Sequence, residues 1–214
     1  CVREVVNEVD VIVRTDAHNV FREFEYPLGL EMAYHCTIDG TCYGTSTASW
    51  PSMEWVFTWG TIPVVPQTAE STFAFPSSLA RAMLNEFNCA FCPPYWGAEN
   101  YDFTLTACRH YALCPRQGKW RVYHRHKSQW PDKRINRRFP YEPWMGEVSG
   151  NPYFIGVNIS WQVYLARHVQ DPSRHPKYDP IAWQIAIKYY PQLMKYVSGY
   201  SVEFVYEKLG LMKK

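Results

Sequence analysis

The chain has 214 residues, a formal net charge of +2 at pH 7 and seven cysteines. With 47% hydrophobic and 20% charged residues it has a globular composition, which excludes a disordered or fibrous chain. The sequence contains no run of about 18 apolar residues, so it predicts no membrane-spanning helix. We expect one domain over residues 1–214, with residues 117–143 as a long basic loop or insertion.

Five segments alternate apolar and polar residues with a period of two, which is typical of half-buried β-strands. They are VVNEVDVIVR (5–14), VFREFEY (20–26), SMEWVFTWG (52–60), NYDFTLTA (100–107) and YFIGVNISWQVYL (153–165). Turn residues separate several of them. The pattern predicts a mostly β fold of sandwich-like antiparallel sheets, with an α+β fold as the alternative.

Two short helices are also predicted. SSLARAMLNEF (77–87) can begin at a serine cap, and DPIAWQIAIKYY (179–190) can begin at Asp179 with Pro180 in the first turn. Pro191 is expected to end or kink the second helix.

Cys36 and Cys42 flank Asp39-Gly40, a pair of residues typical of hairpin turns. If Gly40 adopts a left-handed conformation there, the two cysteines lie opposite each other on paired strands. Facing positions on neighbouring strands are close enough for a disulfide. The sequence therefore predicts a local bridge between these two cysteines.

Four more cysteines form two local pairs, Cys89 with Cys92 and Cys108 with Cys114. The first pair follows the C-terminal end of a predicted helix, where the dipole does not activate a thiolate, so we favour a structural role over a redox role. In an oxidising compartment we expect crossed disulfides between the two pairs. One alternative is zinc bound by the same four cysteines, with His110 in place of Cys114 as a possible fourth ligand. The other is free buried thiols.

Cys1 is the seventh cysteine and belongs to none of the three local pairs. It is a candidate for lipidation or for a bridge to a neighbouring chain, and a simple chain end is the third interpretation. Asn158 begins the sequon Asn-Ile-Ser and is a candidate for glycosylation, although it lies inside a predicted strand.

Residues 116–138 hold nine Lys or Arg residues and one acid, so this segment carries +8 and the remainder of the chain −6. Such separation of charge favours contact with an acidic surface on another copy or another partner. A solvated basic loop and a nucleic-acid platform are the alternatives. The candidate partner-binding residues are Arg116, Lys119, Trp120, Arg121, Tyr123, Arg125, Lys127, Trp130, Arg134, Arg137 and Arg138.

Candidates for catalysis are weak. Glu23 and Glu25 could resemble the carboxylate pair of a hydrolase, but residues two apart on a strand share one face, and a solvated strand edge accounts for them. Asp16 and His18 could form a catalytic dyad, but residues of these types are also common in turns. His124 and His126 have no third metal ligand nearby in the sequence. We expect no catalytic residue and no cofactor other than the alternative zinc.

The odd cysteine, the ring-rich strands and the charge separation favour a non-catalytic, disulfide-stabilised structural protein. It would be extracellular or in the cell envelope, and would pack with its own copies or with other envelope, filament or virion components. A secreted glycan-binding module or hydrolase with exposed tryptophans is one alternative. A zinc-stabilised nucleic-acid-binding domain is the other, although nucleic acid is a disfavoured partner. Membrane contact is expected only through a lipid on Cys1.

Overall fold

The structure is a computed structural model that describes residues 2–15, 19–20, 28–40, 42–50, 72–95, 97–114, 116–125, 141–201, 204 and 207. Within these residues the chain forms six α-helices and five β-strands. Their order is α1 (Val2–Val5), β1 (Val11–Thr15), β2 (Asn19–Val20), α2 (Leu28–Asp39), β3 (Tyr43–Trp50), β4 (Thr72–Pro76), α3 (Ser77–Phe87), α4 (Glu99–Tyr111), β5 (Arg116–Arg125), α5 (Pro152–His168) and α6 (Pro180–Tyr189). Short 3₁₀ turns cover Pro143–Gly146, Pro172–Arg174 and Pro191–Leu193.

The strands form one mixed sheet in the order β1-β4-β3-β5-β2. Strands β3 and β5 run parallel, and the other neighbours are antiparallel. Strand β5 is therefore an internal strand, and it covers residues 117–125 of the predicted basic loop or insertion. Residues 126–140 of that prediction lie outside the described part of the chain.

The mostly β prediction is wrong, because helical residues predominate over strand residues. Two of the predicted strands are the helices α4 and α5. In α5 the alternating residues fall into two rows with a spacing of four. The row of Ile155, Ile159 and Val163 packs in one apolar cluster, and the row of Val157, Trp161 and Leu165 packs in another. A helix buried on two faces thus reproduces the alternation of a strand.

The start of α5 carries a signal that contradicts a strand. Asn151 caps the helix by accepting a hydrogen bond from the Tyr153 amide at 3.0 Å, and Pro152 occupies the first turn. The same chemistry begins α6, where Asp179 accepts from the amides of Ile181 and Ala182. The length of 17 residues also exceeds that of most strands.

The predictions of α3 and α6 are confirmed over Ser77–Phe87 and Pro180–Tyr189. The predicted Asp179 cap is present, and a 3₁₀ turn begins at Pro191 just after α6. The serine cap of α3 is wrong, because Pro76 holds the cap position and no side chain bonds there.

Helices cover both faces of the sheet. On one face, Ile12, Phe73 and Phe75 pack against α3 and α4. On the other face, Met32 and Cys36 of α2 pack against Ala74 and Tyr43. Beyond α4 lies α5, which also packs against α6. This layered arrangement leaves one side of α2 without a helix or strand of the described residues on it.

Candidate functional site

A network of charged side chains lies between α4 and α5. Asp102 Oδ1 accepts hydrogen bonds from Arg167 Nε at 2.5 Å and from His168 Nε2 at 2.8 Å. The side chains of all three residues are at most 1% exposed. Arg167 also donates to Thr106 Oγ1 at 3.3 Å, and its guanidinium stacks over the Phe87 ring. The network therefore fixes α4 to the C-terminal end of α5.

Electrostatics set the charge of each member. Burial alone would raise the pKa of the Asp102 carboxyl, but Arg167 and His168 outweigh burial and hold that pKa below its usual value. Burial lowers the pKa of the His168 imidazole, and the attraction of Asp102 does not restore it. At neutral pH the network therefore holds an ionised Asp102, a charged Arg167 and a neutral His168.

Three buried atoms of the network have no hydrogen-bond partner among the described residues, namely Asp102 Oδ2, Arg167 Nη1 and His168 Nδ1. Because a neutral imidazole that donates through Nε2 accepts through Nδ1, the last atom is an acceptor. All three side chains are buried, and their hydrogen bonds join α4 to α5. Sequence reasoning missed the network because Asp102, in a segment assigned to a strand, lies 65 positions from Arg167, which was assigned to no element.

The cysteines of the two local pairs form disulfides within each pair, Cys89 with Cys92 and Cys108 with Cys114. The crossed pairing is therefore wrong. The pairs also belong to different clusters, since Cys92 packs with Phe87 and Val197 whereas Cys108 packs between α4 and α5. The first bridge lies just after the C-terminal end of α3 and the second spans the C-terminal end of α4, so neither joins distant segments.

Cys36 and Cys42 are buried free thiols, so the predicted bridge between them is absent from the structure. The hairpin is wrong because α2 continues to Asp39 and Gly40, with φ of +60°, follows the helix as its left-handed residue. Burial raises the pKa of the Cys36 thiol to about 11.

Among the described residues, no group of three or more His, Cys, Asp or Glu side chains could hold a metal ion. The four cysteines of the alternative zinc site are the ones that form the two disulfides. Within the same described ranges, no helix is long and apolar enough to cross a membrane.

Asn158 lies in α5 and is exposed, and its Nδ2 donates to Asp179 Oδ2 at 3.1 Å. The sequon serine, Ser160, is fully buried and bonds to the backbone of Tyr95. Glycosylation stays a prediction.

Several predicted site residues lie outside the described residues. The backbone of residues 116–125 is strand β5, whose side chains are not described, and His124 belongs to it. Cys1, Asp16, His18, Glu23, Glu25, His126, Lys127, Trp130, Arg134, Arg137 and Arg138 fall outside the described ranges. Partner binding by the basic segment stays a prediction.

The three tryptophan side chains that the structure describes are fully or partly buried. Trp144 and Trp161 are buried, and Trp183 is half-buried against α5. Trp144 Nε1 donates to the hydroxyls of Tyr95 and Tyr190 at 2.9 and 3.2 Å.

Large apolar side chains are instead exposed on helix α2. Leu30, Tyr34 and Ile38 are 74%, 62% and 61% exposed, and their spacing of four places them in one row. We call this row the α2 stripe. On the opposite side of the helix, Met32 and Cys36 are buried against the sheet. Sequence reasoning missed the stripe, because it assigned the first half of α2 to no element and the end of α2 to a hairpin.

Comparisons of the chain with protein-family models, with curated proteins and with solved structures find no match.

Proposed function

We propose that the protein is a non-catalytic assembly protein of an oxidising, extracytoplasmic compartment, and that it associates with a second copy of itself through the α2 stripe. The exposure of Leu30, Tyr34 and Ile38 is the observation that carries this proposal. An apolar row on a helix whose other side is already packed gains free energy when a partner removes it from water.

The order of side chains in the stripe suits a two-fold axis. If two α2 helices pair antiparallel about Tyr34, Leu30 of one copy meets the partner's Ile38, and the two Tyr34 rings meet each other. Glu31 then lies beside the partner's Thr37, so no two acids oppose each other. In this antiparallel pair the positive N-terminal end of each helix dipole also lies beside the negative C-terminal end of the other, which is favourable.

The size of the stripe decides how strong this contact can be. Three large side chains from each copy supply on the order of several hundred Å², whereas stable specific interfaces bury about 1,200–2,000 Å². The stripe is therefore proposed as the centre of a larger interface. Val13, which shares a sheet face with Val11 beneath α2 and is 37% exposed, extends the apolar area next to it.

The proposed compartment is supported by the two disulfides, because such bonds persist where thiols are not kept reduced. The separation of +8 in residues 116–138 from −6 elsewhere supports contact between copies, since opposite charges on two surfaces attract.

Symmetric cross-linking tests the proposal. In a Tyr34→Cys variant the two new thiols would face each other across the axis, and mild oxidation should give a covalent dimer on a non-reducing gel. Phe154→Cys is the matched control, because Phe154 is 65% exposed on α5, away from α2. Equal yields of dimer from both variants, or no dimer from Tyr34→Cys, would contradict the proposal.

A further inference from the structure

Residues 194–201, which we call the C-terminal strap, lie across α4 and the end of α5. The Val197 amide donates to the Arg167 carbonyl at 2.8 Å, and the Tyr200 amide donates to the Arg109 carbonyl at 2.9 Å. Arg109 Nε returns a bond to the Tyr200 carbonyl at 2.8 Å. Of the strap side chains, Val197 alone is fully buried, where it packs with Phe87. Met194, at the start of the strap, is half-buried in the apolar cluster of Trp144 and α6. Beyond Met194 the strap is held by these hydrogen bonds, by Val197 and by the contacts of Arg109 with Tyr196 and of Lys195 with Phe87.

The residues that hold the strap also belong to the buried network. Arg109, 5% exposed, donates from Nη1 to the His168 carbonyl at 3.3 Å and from Nη2 to the Tyr196 hydroxyl at 3.4 Å. Arg167 offers its carbonyl to the strap and its guanidinium to Asp102. A change of charge in the network therefore acts on the groups that hold the strap.

The groups around His168 come from three elements. Helix α4 contributes the negative Asp102 and the positive Arg109, α5 contributes Arg167 and the Tyr164 ring, and the strap contributes the Tyr196 hydroxyl beside Arg109. With a neutral imidazole, one carboxylate and two guanidinium groups give a net charge of +1. Protonation of the imidazole raises it to +2 in a site that water does not reach, which is unfavourable.

We propose that the strap is an acid-sensitive clasp, which is closed while His168 is neutral and opens when His168 is protonated. Opening exposes Arg109 and the His168 carbonyl to water and uncovers one buried side chain, Val197. Separating α4 from α5 would instead uncover Leu105, Trp161 and Leu165. The strap is therefore the element that yields first.

The direction of the pH dependence follows from the difference in the His168 pKa between the closed and the open strap. In the closed form, burial and the nearby positive charges of Arg167 and Arg109 lower the pKa of His168. Opening moves Arg109 into water, so the pKa of the imidazole rises toward about 6.5, the value of an exposed histidine. Closure is therefore fully favoured above about pH 6.5 and is lost as the pH falls below it, by at most about tenfold per pH unit for one proton. The Asp102 pKa is also lowered, and loss of its charge acts in the same direction only below about pH 4.

His110 also contacts the strap. Its Nδ1 lies 2.7 Å from the Ser198 carbonyl, and its Nε2 lies 2.7 Å from Glu86 Oε2. A His110→Gln variant therefore alters a contact of the strap while leaving the Asp102 network intact.

Amide hydrogen exchange followed by NMR between pH 7.5 and 5 tests the clasp, with rates corrected for intrinsic exchange. Protection of the Val197 and Tyr200 amides should fall by up to tenfold per pH unit below about 6.5, while amides inside α4 and α5 stay protected. In His168→Gln, whose neutral amide can still donate to Asp102, the fall should disappear. His110→Gln should keep it.

Two results would overturn the proposal. One is the same acid-induced loss of protection in His168→Gln as in the parent. The other is a parallel loss across α4 and α5, which indicates global unfolding. If His168→Gln does not fold, the His168 ring signals of the parent decide, because they must titrate together with the Val197 and Tyr200 protection.

Discussion

At the scale of single residues, Asp102 has the largest structural role among the ionisable side chains described here. One of its oxygens joins a guanidinium and an imidazole from α5, and its own helix lies in the middle of the layered fold. Because both partners are buried, removing its charge leaves Arg167 without a counter-ion in a site that excludes water.

Asp102→Asn should therefore lower the free energy of unfolding by about 3–5 kcal/mol. Asp171→Asn is the matched control, since Asp171 pairs with Arg174 on the surface, where the two side chains are 54% and 87% exposed. That control should cost no more than about 1 kcal/mol. Urea unfolding monitored by circular dichroism compares the two, and equal costs would show that the buried network does not stabilise the fold.

A second residue is strained by its position. Ala112 ends α4 with φ of +56°, a left-handed conformation that alanine adopts at a cost of about 1–2 kcal/mol. Ala112→Gly should remove that cost and raise the melting temperature by roughly 2–4 °C per kcal/mol. Calorimetry measures the shift. A lower melting temperature would mean that the greater freedom of glycine in the unfolded chain outweighs the relieved strain.

At the scale of elements, helix ends marked by local residues could be predicted from the sequence, whereas a helix buried on two faces could not. Asp179 followed by Pro180 predicts the start of α6 by a mechanism that acts within four residues. The alternation over 153–165 suits a half-buried strand and also a helix packed on both sides. Only knowledge of what covers each face separates them, and the sequence does not contain it. The Asn151-Pro152 pair at the start of α5 was the available local signal.

The strap is an element whose conformation depends on one glycine. Gly199 has φ of +152°, and a Cβ there would lie 2.2 Å from the Arg109 carbonyl oxygen. Gly199→Ala should displace the strap, increase amide exchange at Val197 and Tyr200, and cost about 1–3 kcal/mol in stability. Gly146→Ala is the control, because nothing lies within 4 Å of the added atom. Unchanged exchange in Gly199→Ala would contradict the described packing of the strap.

At the scale of the whole molecule, the helices and the mixed sheet bury most apolar side chains of the described residues but leave the α2 stripe in water. Composition predicted a globular protein rich in rings and cysteines, and the formation of disulfides agrees with that prediction. Which cysteines pair, and which apolar rows remain exposed, depends on tertiary packing. The sequence alone could therefore not place either the network or the stripe.

Sedimentation equilibrium across a concentration series measures association through α2. The parent chain of 25.1 kDa should approach twice that mass as the concentration rises. Tyr34→Lys keeps good helix propensity but places two positive charges opposite each other at the axis, so it should remain at the mass of one chain. Phe154→Lys, the matched control, should behave as the parent does. A parent that stays monomeric at all concentrations, or a Tyr34→Lys variant that dimerises as well as Phe154→Lys, would contradict association through the α2 stripe.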